Sequence, residues 1–123
     1  MARNDKPEPV HEIARTRLPI QTILPRVAKQ PQYHLLEPDK PYYVRNDGRV
    51  LLLLADDGDG ADLVVEMPGA LQDDDDLRVV LVGAAHTQAL GTFSPGIYNH
   101  SRSELRFRVT AENVNLAVLH IGS

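Results

Sequence analysis

From Tyr42 onward the chain alternates short apolar runs with turn residues, and this pattern predicts strands. Tyr42–Val44 is expected as a first strand, reversed at Asn46-Asp47-Gly48, a hairpin signal of the Asp-Gly kind. Arg49–Ala55 carries four consecutive leucines, Leu51 to Leu54, which face both ways. Such a strand is either central in a sandwich or half-covered by a neighbouring subunit. Ala61–Met67 follows and stops at Pro68-Gly69, and Leu77–Val82 is again apolar on both faces. Gly83-Ala84-Ala85 then turns the chain into His86–Leu90, and Ser94-Pro95-Gly96 reads as irregular. Glu104–Val109 alternates cleanly, with Leu105, Phe107 and Val109 inward and Arg106 and Arg108 outward. Thr110–Asn113 is a loop and Val114–Ile121 a last strand. About seven short strands at roughly 8–12-residue spacing predict an all-β fold, a small antiparallel β-sandwich of jelly-roll or Ig-like kind over 42–123. No stretch offers a helical period.

Residues 1–41 follow a different rule. They hold seven of the nine prolines, a density that excludes a long helix and any central strand. Apolar clips, Leu18-Pro19-Ile20 and Ile23-Leu24-Pro25 with Val27, punctuate the segment. An extended, Pro-rich arm that orders on a partner is expected, with Leu18, Ile20, Ile23, Leu24 and Val27 as apolar anchors. Arg15, Arg17 and Arg26 would be its charged contacts. On that reading, removal of residues 1–30 leaves a folded body; a loose tail or a strap across the chain's own domain is the other reading.

Charge sharpens this division. The net charge of −4 is the sum of +3 over residues 1–30 and −7 over the rest. A basic leader on an acidic body makes nucleic acid an unsuitable partner for the body. With no Trp, four Tyr and two Phe, the core must be aliphatic. The absence of Cys removes disulfides, zinc–thiolate sites and a cysteine nucleophile. No apolar run reaches the ~20 residues that span a bilayer, so no membrane partner is expected.

Candidate chemistry is sparse. The aspartates of 56–62 invite calcium, but a helix-flanked calcium loop needs Gly at its sixth and Glu at its twelfth position. Counting from Asp57 gives Asp62 and Pro68, and from Asp56 gives Ala61 and Met67, so a solvated turn is expected instead. The run Asp73–Asp76 suits a basic partner segment better than a metal. His11, His34, His86, His100 and His120 share no metal-ligand spacing on one element and are expected at the surface or at sheet edges. Ser94, Ser101 and Ser103 lack a nucleophile-elbow context, and there is no phosphate-binding glycine loop. No catalytic, cofactor or metal site is expected. Arg102, Arg106 and Arg108 form the body's one basic stripe, a candidate contact for an acidic partner.

The order of signals over residues 42–121 resembles small β-sandwich proteins of tailed bacteriophage heads, the capsid decoration (cement) and minor capsid proteins. The resemblance rests on Asn46-Asp47-Gly48-Arg49 before Leu51–Leu54, on Glu66-Met67-Pro68-Gly69 and on Val79–Val82. Gly83-Ala84-Ala85, Gly91-Thr92-Phe93-Ser94-Pro95-Gly96-Ile97-Tyr98-Asn99 and the final strand Val114–Leu119 complete it. The small-residue turn departs from the pattern in lacking Pro-Ala-Gly, and residues 1–41 lie outside the match. The resemblance implies a non-enzymatic virion protein, made in the host bacterial cytoplasm, that binds the major capsid protein on the outer capsid surface. It implies a homo-oligomer, with a trimer favoured. A head–tail junction or tail component of the same virion is the alternative. A carbohydrate- or protein-binding sandwich ranks below both, since such modules usually present aromatic platforms, and an enzyme ranks last.

Overall fold

The computed structural model describes residues 14–23, 28, 30–69, 76–81, 83 and 87–121. Ten strands form two mixed sheets packed on one another, a β-sandwich. In chain order they are β1 Thr16–Arg17, β2 Gln21–Ile23, β3 His34–Leu36, β4 Tyr42–Arg45, β5 Val50–Asp56, β6 Ala61–Val65, β7 Leu77–Leu81, β8 Thr87–Gly91, β9 Glu104–Val109 and β10 Val114–Ile121. The first sheet has the order β1-β4-β9-β6-β7. The second runs β2-β10-β5-β8, with β3 also on β10.

The seven strands expected from the pattern are all present, and β9 and β10 keep the expected bounds. The third ends at Val65 rather than Met67. Beyond it, Glu66 N–H donates to Arg106 O and Met67 N–H to the Asp76 carboxylate. His86, Val82 and the turn residues Ala84 and Ala85 lie outside the described residues, as do Asp73–Asp75. Both sheets are mixed rather than antiparallel, because β1 runs parallel to β4 and β2 parallel to β10.

These parallel pairs come from residues 1–41. In its described residues this segment supplies three edge strands. Each is two or three residues long, as proline density requires, and none is central. β2 and β3 share one side of β10, beside its C-terminal and N-terminal halves respectively.

The inner layer follows directly from strand alternation. Leu54 and Leu52 face Leu116 and Val118 in register within the second sheet, with Val50 next along β5, and all five are 0–1% exposed. Leu105, Phe107 and Val109 line the first sheet, with Leu63 and Val65 beside them. Leu18 and Leu36 join the same cluster, and Ile20 packs against it. Tyr42 and Phe107 stack at 6.4 Å and are the core's central aromatic pair.

Ser94-Pro95-Gly96 is not irregular. Pro95–Tyr98 forms a single helical turn, α1, in which Ser94 O accepts from the N–H groups of Ile97 and Tyr98. Proline at the first helical position fixes φ where no intrahelical donor is needed. One turn is too short to show a period in sequence.

Candidate interaction surfaces

Strand alternation gives each sheet one inner and one outer face. On the first sheet the outward positions are largely charged. Tyr43 lies opposite Arg106, Arg45 opposite Glu104, and Val64 between Arg78 and Arg108. Arg17 stands beside Tyr43 on the β1 edge. This face therefore carries Arg17, Arg45, Arg78, Arg106 and Arg108 against Asp62 and Glu104, a surplus of three positive charges on a chain of net −4.

Part of that charge is already committed. Arg106 Nε donates to Glu104 at 3.1 Å, and Arg78 to Asp62 at 3.0 Å. Arg15 makes a bidentate pair with Glu66, both bonds at 2.9 Å, tying the start of the described chain to the end of β6. His100 Nε2 lies 2.7 Å from Glu66 O, and Arg106 Nη1 lies 3.5 Å from His100 Nδ1. A proton on Nε2 satisfies both contacts. Among the described residues Arg17, Arg45, Arg102 and Arg108 have no ion pair.

The basic stripe expected from sequence is thus two features. Arg106 and Arg108 do share the outer face of β9. Arg102 does not belong to it: it sits with Ser101 and Ser103 in a tight 3-10 turn before β9, at φ 64, exposed at the end of the sandwich.

On the second sheet the outward positions are uncharged. Leu51, Leu53 and Ala55 of β5 lie between Ala89 of β8 and Ala117 and Leu119 of β10. Leu35, Asn115, Ile23 and Ile121 extend the same face along the β10 edge. Ala117 and Leu119 are buried although they are not part of the inner cluster. Leu35, by contrast, is 66% exposed and Ile121 42%. The two-sided leucine run of β5 therefore belongs to a central strand whose outer side is half-buried. Gly91 of β8 has φ 137, and a Cβ there would stand 2.7 Å from Val50 O, so β8 approaches β5 at its end only as glycine.

At one end of the sandwich the Asn46-Asp47-Gly48 turn meets α1. Asn46 is 2% exposed. Its side-chain amide donates to Phe93 O and Asn99 Oδ1, its Oδ1 accepts from Gly48 N–H, and Asn99 Nδ2 donates to Asn46 O. This closed amide network explains why a polar side chain is buried there. Beside it a shallow cleft of about 420 Å³ is lined by Ile20, Arg45, Asp47, Pro95, Ser103 and His120. His120 Nε2 lies 2.8 Å from Asp47 Oδ2, and this hydrogen bond holds the Asp47 carboxyl below its ordinary value.

The acidic loop differs from expectation at one residue. Asp56 is not a solvated turn residue but the last, buried residue of β5, where its Oδ1 accepts from Gly58 N–H. Its Oδ2 has no partner. Asp57, next in sequence, accepts instead from Asn115. Among the described residues no group of three His, Asp or Glu side chains is placed to hold a metal ion, and no helix is long and apolar enough to cross a membrane.

The arm's expected contact residues divide. Leu18, expected as an anchor on a partner, is spent in the chain's own core at 6% exposure, and Arg15 is engaged by Glu66. Ile20 packs against the core from the cleft side. Ile23 faces outward beside Ile121, and Arg17 is exposed. Leu24, Arg26 and Val27 lie outside the described residues. The apolar clip Leu18-Pro19-Ile20 signalled burial, but a two- or three-residue strand offers no alternation from which to tell its own sheet from a partner's. Compared with known proteins, the chain matches no family model, no curated protein and no solved structure.

Proposed function

We propose that this chain is a non-enzymatic virion structural protein that binds the outer surface of a phage capsid and cements the lattice of major capsid protein. The supporting observation is the dressing of the sandwich's two outer faces: among the described residues, the strand positions of one have a positive surplus of three on an acidic chain, and those of the other have no charged side chain. Both are read as contact surfaces, and in the end cleft Asn46 pairs with Asn99 and Asp47 with His120. The resemblance carried by Asn46-Asp47-Gly48-Arg49 and by Gly91 to Asn99 supplies the virion setting and the finer jelly-roll or Ig-like assignment.

In this reading Arg17, Arg45 and Arg108, with Arg102 at the end of the sandwich, meet acidic groups on the shell. Ile23, Leu24, Arg26 and Val27 are proposed as further partner contacts of the arm, Ile23 on the second sheet's side of the sandwich. A ligand that binds only the assembled lattice stabilises it by mass action. Repetition over the particle makes individually weak contacts strong in sum.

The test is co-sedimentation of the purified chain with mature capsids that lack it, over a titration. Saturation at several hundred copies, in a multiple that matches the lattice, is the expected result. Saturation near a dozen would move the protein to a vertex or the head–tail junction. No pelleting would overturn the capsid reading.

A further inference from the structure

We infer that the cleft at the Asn46 end of the sandwich is a binding site for a carboxylate carried on a short aliphatic body, with the Arg45 guanidinium as its anchor. The inference concerns the cleft alone and is read out without capsids, so it does not rest on the virion reading.

The cleft keeps a free cation because both nearby carboxylates are held by other groups. Arg45 stands in register opposite Glu104, the acid that the ladder offers it. Glu104 is buried and accepts instead from Arg106 Nε at 3.1 Å. Asp47, two residues on, accepts from Arg49 N–H through Oδ1 and lies 2.8 Å from His120 Nε2 through Oδ2. Arg45 is therefore left without a partner among the described residues, at the wall of a cleft of about 420 Å³. The amide oxygens there are engaged as well: Asn46 Oδ1 accepts from Gly48 N–H, and Asn99 Oδ1 from the Asn46 amide.

Ser103 adds a second free donor. Its hydroxyl has no partner among the described residues, and the residue lines the same cleft. It follows Arg102 in a turn where both residues have positive φ, 64 and 59. Non-glycine backbone of that kind costs energy and persists only where its surroundings hold it. Here Ser103 O accepts from Asn46 N–H, and His100 N–H donates to Glu104 O. The strained turn thus fixes Ser103 against the end of β4, on the rim of the cleft.

Free donors beside engaged acceptors call for a negatively charged acceptor. A guanidinium fork matches the two oxygens of a carboxylate. One cation balances one charge, whereas a phosphate dianion would set a second charge beside Asp47. Ile20 and Pro95 give the cleft an apolar wall, which suits an aliphatic body better than a bare inorganic anion. A branched acid of a few carbons and the last residue of a peptide present the same group.

The experiment is amide NMR of the full chain titrated with isovalerate, with a tripeptide ending in leucine, with the amide of each, and with inorganic phosphate. Saturable shifts at Arg45, Ser103 and Ile20 are expected with the acids, at the roughly millimolar Kd of a ligand of few atoms, and not with the amides. The tighter of the two acids identifies a free acid or a chain terminus as the source. Arg45→Met should weaken binding about tenfold or more, and Ser103→Ala about threefold. Arg17→Met, at an unpaired arginine outside the cleft, should leave it unchanged, with circular dichroism to confirm folding of each variant. No saturable shift with either acid, equal binding of the amides, phosphate binding tighter than both acids, or parent-like binding by Arg45→Met would each overturn the inference.

Discussion

The two outer faces of this sandwich share one ladder geometry and differ only in what stands at alternate positions. On the first sheet the sequence Glu104-Leu105-Arg106-Phe107-Arg108-Val109 puts every charge out and every apolar group in. On the second, Val50–Ala55 and Val114–Leu119 put apolar groups on both sides, so burial continues past the core to Ala117 and Leu119. Even the charged face keeps one fully buried residue, Val64, flanked in register by Arg78 and Arg108, whose aliphatic stems are placed to cover it. Alternation thus marks a strand with one solvent-facing side, whereas its loss marks a strand whose outer side is also withdrawn from solvent within the chain.

The strongest way to break the comparison is to put the same charge on each sheet. Leu119→Asp introduces an unpaired carboxylate at a buried outward position and should cost about 3 kcal/mol or more in denaturant unfolding. Val80→Asp, at an exposed outward position on the first sheet, should change stability by less than about 0.5 kcal/mol. Equal effects would show that the two faces are not distinct.

Next is the segment that edges both sheets. Deleting residues 1–30 removes β1, β2, the buried Leu18 and the Arg15–Glu66 pair. Full burial of one leucine is worth about 1.5–3 kcal/mol, and the lost pairing adds to it. The truncated chain should therefore unfold at clearly lower denaturant than the parent, contrary to the expectation of an independent body. An unchanged midpoint would return the segment to the status of a detachable arm.

A smaller effect is expected from Arg15→Met, which leaves the Glu66 carboxylate without its bidentate partner. Both side chains are only partly buried, so the cost should be about 1 kcal/mol. Urea unfolding of the variant measures it directly.

The smallest effect concerns pH. The hydrogen bond from His120 lowers the Asp47 carboxyl below its ordinary value. A carboxyl whose folded pKa lies below its unfolded one stabilises the fold above the unfolded value, and that contribution is lost as pH falls through the folded value. Asp47 is largely exposed, so the increment is small. Stability against pH for the parent and for His120→Ala should converge in acid and separate slightly above the ordinary carboxylate range; parallel curves would refute the linkage.

Much of the fold was legible because its seven long strands alternate or run apolar between Gly, Pro and Asp turns. β9 and β10 kept their expected bounds because Thr110–Asn113 is bounded by strong strands on both sides. The edge strands of residues 16–36 were not legible, since two or three residues between prolines carry no period. The sequence marks Leu18 as apolar without deciding between a partner and a strap on the chain's own domain, because hydrophobicity does not name the surface it covers. Asp56 is illegible for the opposite reason: an aspartate run reads as solvent, although the strand's register carries its first member inward. Of the basic stripe, the alternating pair Arg106 and Arg108 was legible, while Arg102 left it through a left-handed turn that has no signal in an Arg residue.

The most direct test of the contact account is a binding titration to capsids lacking this protein. The parent is compared with Arg17→Glu/Arg45→Glu/Arg108→Glu, which reverses the first sheet's charge without touching an ion pair. The account predicts saturation of the parent at a lattice-matched copy number and loss of binding in the triple variant, with folding retained. Parent-like binding by the triple variant, or no binding by the parent, would contradict it.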